Sequence, residues 1–303
     1  MSEDRSPTTV HEAIDARAVD QVLARLARRA EAPWLHGEVA QRMAERLPLI
    51  RQPPRRWLDW WGHLGGGAAA VRQAYPHAQR IVVEPTAALR ARSSGPAPRW
   101  WSPRRWASTG TVLLPGQVDE GAAEMVWANM MLHACVDMAG TLSQWRRALV
   151  VDGFVMFSTL GPATLHELRT LYRGRGLGLP HAPFADMHDI GDLLVHAGFA
   201  DPVMDQEMLT LTWSTPAAAL AELRALGGNV HPQRHAGLRT PRWRARLLDA
   251  LERQADADGR VAMSFELVYG HAFRPRPRAR VAPTSSVSLA DMRASLSSGR
   301  ASG

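Results

Sequence analysis

The sequence predicts an α/β protein: a doubly wound, mostly parallel sheet with a helical cap at its N-terminus. Three observations carry this expectation. Apolar runs of strand length alternate with amphipathic helical segments, a glycine-rich turn follows the first such run, and two later runs alternate apolar with polar residues. Strands covered by helices on both faces read as unbroken apolar runs, whereas strands with one wet face alternate. At 303 residues and 46% hydrophobic content, the chain is long enough for one large domain with a substantial core.

From about Val10 to Leu49 the segments AVDQVLARLARRA and HGEVAQRMAERLPLI repeat at helical spacing, and RQPPRR then breaks the chain. Residues 1–50 therefore read as an N-terminal helical lid. A strand from Arg56 to Trp60, the turn with Gly62, Gly65, Gly66 and Gly67, a helix from about Gly67 to Tyr75 and the strand QRIVVE ending on Glu84 form one βαβ unit. The segment Ser93 to Val118, which includes PRWWSPRRW, holds at most one short strand. AAEMVWANMM reads as a buried strand, DMAGTLSQWRRALV as an amphipathic helix, and GFVMFSTLG as a buried strand entered through a turn at Asp152 and Gly153.

A helix from Thr164 to Tyr172 leads through RGRGLGLP to FADMHDIGDLLVHAGF, where Asp186 caps a helix with Met187, Ile190, Leu193 and Leu194 on one face. MDQEMLTLTW and RVAMSFELVYGHAF are the alternating strands, with helices near Pro216 to Leu226 and Trp243 to Ala255 between them. Residues 51–275 make the main domain. Residues 276–303, rich in Arg, Ser and Pro, read as a disordered tail.

Composition excludes several chemistries. No run approaches the length of a membrane span and the N-terminus is too polar for a signal peptide, so a cytoplasmic location is expected. Cys135 is the single cysteine, which rules out a disulfide framework or a multi-cysteine metal site and suggests burial in an apolar helix. All 36 basic residues are arginine. A Walker phosphate loop, a Schiff base and a tyrosine-lysine dehydrogenase pair all need a lysine and are therefore absent. The net charge of +7 is concentrated at the C-terminal end, since His271 to Gly303 hold six arginines against Asp291. The tail thus reads as a solubilising extension rather than a nucleic-acid site.

A doubly wound sheet binds its ligand at the carboxyl ends of the central strands, which directs attention to the first βα turn and to the end of the second strand. Glu84 follows Gly65 by 19 residues, the spacing at which an acid accepts hydrogen bonds from ribose hydroxyls. No frame supplies the G-x-G-x-x-G of a dinucleotide site. Asp59 instead precedes the glycines, as in the D-x-G-x-G-x-G turn of S-adenosylmethionine-dependent methyltransferases, with Trp61 where the first glycine belongs and Gly62 and Gly65 in register after one extra residue.

The runs MVWANMMLHACVDMAGTLSQWRRALVVDGFVMFSTLGPATLHELR, FADMHDIGDLLVHAGFADPVMDQEMLTLTW and FELVYGHAFRP resemble malonyl-acyl-carrier-protein O-methyltransferases of biotin synthesis over about Val22 to Pro275. The resemblance implies a Rossmann-like class I methyltransferase fold: a seven-stranded, mostly parallel sheet whose last strand is antiparallel. It implies S-adenosylmethionine as cofactor, held by Asp59, Gly62, Gly65, Glu84 and Asn129, with His133 in the loop after the fourth strand as a substrate contact. It also implies an acidic acyl carrier protein as partner, and neither a membrane nor nucleic acid. The family's tyrosine-aspartate pair falls on Arg29 and Ala30, and the arginine suited to a substrate carboxylate is missing from HAPFADMHDIGD, where Pro183 precedes Phe184. Arg173 and Arg175 in the preceding loop are the candidate replacements.

No catalytic residue is assigned, because a carboxylate is already ionised near pH 7 and its methylation needs alignment rather than a base. Besides an active methyltransferase, two functions stay open at this point: a catalytically impaired methyltransferase fold kept for binding or regulation, and an NAD-dependent oxidoreductase lacking its fingerprint loop.

Overall fold

A computed structural model of the chain describes residues 14–95, 110–235 and 237–277. The PRWWSPRRW segment, the first residues of the expected N-terminal helix and the tail from residue 278 lie outside them. The elements in chain order are α1 (Ala16–Leu26), α2 (Trp34–Ala44), β1 (Arg56–Trp60), α3 (Gly62–Gly65), α4 (Ala68–Ala74), β2 (Gln79–Val83), α5 (Ala87–Ser94), β3 (Val112–Leu113) and β4 (Ala123–Ala128). There follow α6 (Met138–Ala148), β5 (Leu149–Leu160), α7 (His166–Arg175), α8 (Met187–His196), β6 (Ala200–Trp213), α9 (Pro216–Leu226), α10 (Pro241–Glu252) and β7 (Val261–Phe273).

The seven strands lie in the order β3-β2-β1-β4-β5-β7-β6. β1 to β5 run parallel, and β7 inserts antiparallel between β5 and β6. This is the sheet of the class I methyltransferase fold. Successive side chains of a strand point to opposite faces, and the core divides accordingly. Leu58, Val126 and Val155 join α6 and α8 on one face, while Trp57, Met125 and Phe154 join α2, α7 and α10 on the other. β6 alternates half-buried and exposed residues as expected of a strand with one wet face, and β7 is buried along most of its length.

The two N-terminal helices close over the carboxyl ends of the strands. Asp15 starts α1 by accepting from the N–H groups of Arg17 (2.9 Å) and Ala18 (3.3 Å), and Arg234 from beyond α9 reaches the same carboxylate at 2.6 Å. α1 buries Val19, Leu23 and Leu26, and α2 buries Leu35, Val39 and Met43.

Several boundaries differ from the sequence expectation, each for a local reason. The glycine turn coils into the short helix α3. An unforeseen helix, α5, follows β2 because Thr86 caps it by accepting from Leu89 N–H at 3.2 Å. β4 stops at Ala128 rather than Met131, since Met130 takes a positive φ of 52°. β5 begins at Leu149, before the expected turn, and carries a bend where Asp152 has φ 63°. Cys135 is buried as expected but sits after a single 3-10 turn (Leu132–Ala134), not inside an α-helix; burial pushes its thiol up to about 12, so it stays protonated. Among the described residues no helix is long and apolar enough to cross a membrane.

Candidate cofactor and substrate site

β1 ends in a residue conformation that most side chains avoid. Trp61 adopts φ 57° and ψ 44°, the left-handed backbone that costs a non-glycine residue roughly 1 to 2 kcal/mol. Two features hold it there. Its N–H donates to the Val83 carbonyl at 2.7 Å, tying the end of β1 to the end of β2, and its ring is 7% exposed within the core cluster that includes Leu64 and Leu132. Trp61, which stands where the resembled motif has its first glycine, thus carries a buried indole through a left-handed turn.

The true glycines of the turn serve packing. A Cβ at Gly62 would lie 2.8 Å from Asp59 Oδ2 and 2.9 Å from Arg80 Nη2, and one at Gly67 would collide with the Trp127 indole nitrogen. At Gly65 a Cβ would make only ordinary contact, 3.6 Å from the Asn129 carbonyl oxygen.

Both acids of the site are buried and partly engaged. Asp59 is 1% exposed, and its Oδ2 accepts from Arg80 Nε at 2.7 Å and Nη2 at 2.5 Å while Oδ1 has no partner among the described residues. Burial pushes this carboxyl above its ordinary value and the Arg80 guanidinium pulls it back. Arg80 arrives from β2, whose register sets it opposite Trp57, with its guanidinium 5.8 Å from that ring's centroid. Glu84 follows β2 directly and is fully buried. Its Oε1 accepts from the His63 N–H at 2.7 Å and the Ser93 hydroxyl at 2.6 Å, and Oε2 has no partner among the described residues. Burial raises its carboxyl to about 7, and nearby Asp59 adds to the rise.

Asn129, just after β4, ties α2, α3 and β5 together. Its amide donates to the carbonyls of His36 (2.7 Å) and Gly65 (2.5 Å), and its oxygen accepts from Ser158 Oγ at 2.6 Å. His36 in turn donates Nδ1–H to the Leu64 carbonyl at 2.7 Å, leaving Nε2 as an acceptor, and burial lowers it to about 4. His133 lies edge-on to Phe184 at 5.9 Å between centroids, and burial lowers it to about 3. Both imidazoles are neutral at pH 7.

Two cavities open at this end of the sheet, and Trp61 lines both. One of about 210 Å³ is bounded by Trp60, Pro85, Pro115, Asp137 and Gln144. The other, about 350 Å³, runs from Leu64, Met130 and His133 out to α1 and α9 between apolar walls.

Of the residues singled out from sequence, Asp59, Gly62, Gly65, Glu84 and Asn129 gather around the turn from β1 into α3 without lining either cavity, and His133 lines the larger one. Arg173 and Arg175 belong to neither group: they are exposed on the last turn of α7. Sequence reasoning missed Arg80, Ser93 and His36. Arg80 left one signal, a lone cation inside the apolar run QRIVV; the other two leave none, because their partners are backbone or distant side chains.

No known family profile matches the chain. Among solved structures it resembles the YcgJ protein from Bacillus subtilis, with a TM-score of 0.50 at 10% identity over 78% of this chain and 98% of that one, a likeness of fold alone. Sequence relatives say more. The malonyl-acyl-carrier-protein O-methyltransferase of Gallionella capsiferriformans is 39% identical over 88% of this chain and 93% of its own length. That of Nitrosospira multiformis is 34% identical over 93% of this chain and 96% of its own, and that of Laribacter hongkongensis 39% identical over 82% and 86%. Likeness of this extent, together with the sheet order and the acids at the ends of β1 and β2, places the chain in the malonyl-acyl-carrier-protein O-methyltransferase family.

Proposed function

We propose that this chain transfers the methyl group of S-adenosylmethionine to the free carboxylate of a malonyl thioester carried on an acidic acyl carrier protein, a reading supported by relatives named malonyl-acyl-carrier-protein O-methyltransferase. The observation that supports this most directly is Glu84: a buried acid after β2 whose Oε2 has no partner among the described residues, followed by Pro85 on the wall of the smaller cavity. Ribose hydroxyls donate hydrogen bonds and favour an ionised carboxylate, so an acid with one unused oxygen suits them. S-adenosylmethionine, when bound, supplies a methyl group activated on a sulfonium centre.

In this reading Asp59 offers Oδ1 to the amino acid end of the cofactor, Gly62 and Gly65 shape the turn, and Asn129 holds that turn against α2 through its bonds to Gly65 and His36. The substrate carboxylate enters the larger cavity, whose apolar walls exclude water and strengthen any fixed charge that meets it. Neutral His36 and His133 there supply hydrogen-bonding atoms without charge. Rate then depends on holding the carboxylate oxygen about 3 to 3.5 Å from the methyl carbon. In this reading residues 14–50 act as the lid and residues 51–275 as the transferase domain, and the location is the cytoplasm.

Two features favour a second reading, a fold kept for binding alone: Arg80 occupies Asp59, and Trp61 stands between the cavities. Isothermal titration with S-adenosylmethionine and S-adenosylhomocysteine decides between them. Micromolar affinity that disappears in Glu84→Ala supports transfer, and no binding at millimolar ligand supports the alternative. Growth of a biotin-requiring strain lacking its own methyltransferase then tests the malonyl substrate.

A further inference from the structure

The larger cavity is mostly apolar, its lining broken by His36, His133, His181, Tyr172 and Asn229 and by two arginines. Arg25 from α1 and Arg224 from the last turn of α9 both line it, and among the described residues its lining contains neither aspartate nor glutamate. Arg25 is half-buried and donates from Nη2 to the Gly227 carbonyl, which fixes α1 to the end of α9. Among the described residues neither arginine makes an ion pair, and Arg224 makes no hydrogen bond through its side chain.

The acids that share these elements are committed elsewhere. Asp15, the cap of α1, is held by Arg234 at 2.6 Å, and Glu222 on α9 accepts from the indole N–H groups of Trp34 (3.0 Å) and Trp213 (2.9 Å). Asp20 on α1 is exposed and lines neither cavity. Burial and the neighbouring charges of Arg224 and Arg29 all weaken Arg25's hold on its proton. Two cations at the rim of an apolar chamber thus repel one another, with no described protein anion to offset them. Arginine forks also match carboxylate and phosphate oxygens geometrically.

We propose that Arg25 and Arg224 form an oxyanion seat at the rim of this cavity, replacing the carboxylate anchor absent before Phe184. This rests on the thioester substrate proposed above, which carries two oxyanions: the acyl carboxylate and the phosphodiester that joins the carrier's thiol arm to its protein. The seat takes one of them where α1 meets the end of α9.

Equilibrium binding tests it on the full chain, using malonyl and acetyl thioesters of phosphopantetheine and of pantetheine at low ionic strength. Wild type is expected to bind malonyl-phosphopantetheine at least tenfold more tightly than acetyl-pantetheine, and Arg25→Gln and Arg224→Gln are each expected to erase most of that advantage. If the loss follows the malonyl group, the seat holds the carboxylate; if it follows the phosphate, the phosphodiester. An advantage unchanged in both variants, or no advantage in wild type, overturns the seat. Arg224 is exposed, so its variant reads binding even if Arg25→Gln loosens the lid. Wild type that shows the anion-dependent binding without methyl transfer would remove the transferase reading and leave the seat standing.

Discussion

Replacing Glu84 by glutamine isolates the cost of a buried carboxyl at the cofactor end of the sheet. In the folded chain Glu84 holds its proton to about pH 7, against an ordinary value of 4.5, because burial penalises its charge. The unfolded chain releases that proton near pH 4.5, so the folded state binds more protons between pH 4.5 and 7. Stability must therefore fall as pH rises through that window and level off above it. A separation of this size corresponds to about 3 kcal/mol. Glutamine keeps the contacts of the neutral acid and has nothing to ionise. We predict that Glu84→Gln matches wild type near the ordinary carboxylate value and is more stable by up to about 3 kcal/mol at about pH 8, read from urea unfolding without cofactor. The same linkage makes ligand affinity pH-dependent. Donors to Oε2 favour the ionised acid, so S-adenosylhomocysteine should bind up to about tenfold more weakly per pH unit below about 7, and the glutamine variant should show no such slope. A stability difference that does not change with pH, or a glutamine variant less stable at alkaline pH, would refute the reasoning.

Trp61→Gly trades the loss of a buried ring, about 3 to 5 kcal/mol, against roughly 1 to 2 kcal/mol recovered from the left-handed backbone. Calorimetry should show a protein weaker by about 1 to 4 kcal/mol that binds S-adenosylhomocysteine more tightly, because the wall between the cavities is gone; unchanged affinity would exonerate the indole. Arg80→Met leaves Asp59 buried and unpaired, which should cost about 3 to 5 kcal/mol, and adding Asp59→Asn should restore much of it in a double-mutant cycle. Asn129→Ala removes three buried hydrogen bonds and should cost about 3 kcal/mol, with faster amide exchange confined first to the turn from Gly62 to Gly67.

What the sequence reveals follows from what each residue depends on. β1, β2 and β4 are legible because each holds a short, mostly apolar run of strand length, and Glu84 stands out because its place is set by counting from the glycine turn. Arg80's grip on Asp59 depends on strand register, which no spacing along the chain reports. Trp61 breaks the glycine pattern and still adopts a left-handed backbone, which a tryptophan does not announce in sequence. Proximity along the chain points to Arg173 and Arg175 beside the missing carboxylate motif, whereas Arg25 and Arg224, which make no ion pair among the described residues, come together only where α1 packs against the end of α9. The capping signal of Asp186 fares better, since it acts two residues along its own chain, on the His188 N–H.

The position of β7 sets an order of events. β6 pairs with β7 from Trp213 to Ala200 and has no other neighbour in the sheet, while β7 also pairs with β5 from Phe154 to Leu160. A chain leaving the ribosome therefore presents β6, half apolar, well before the strand that receives it, with α9 and α10 still to come between them. Until Val261 to Phe273 emerge, this half of the sheet ends at β5 with an open edge, and cells expressing the protein face a window in which that edge invites association with other chains.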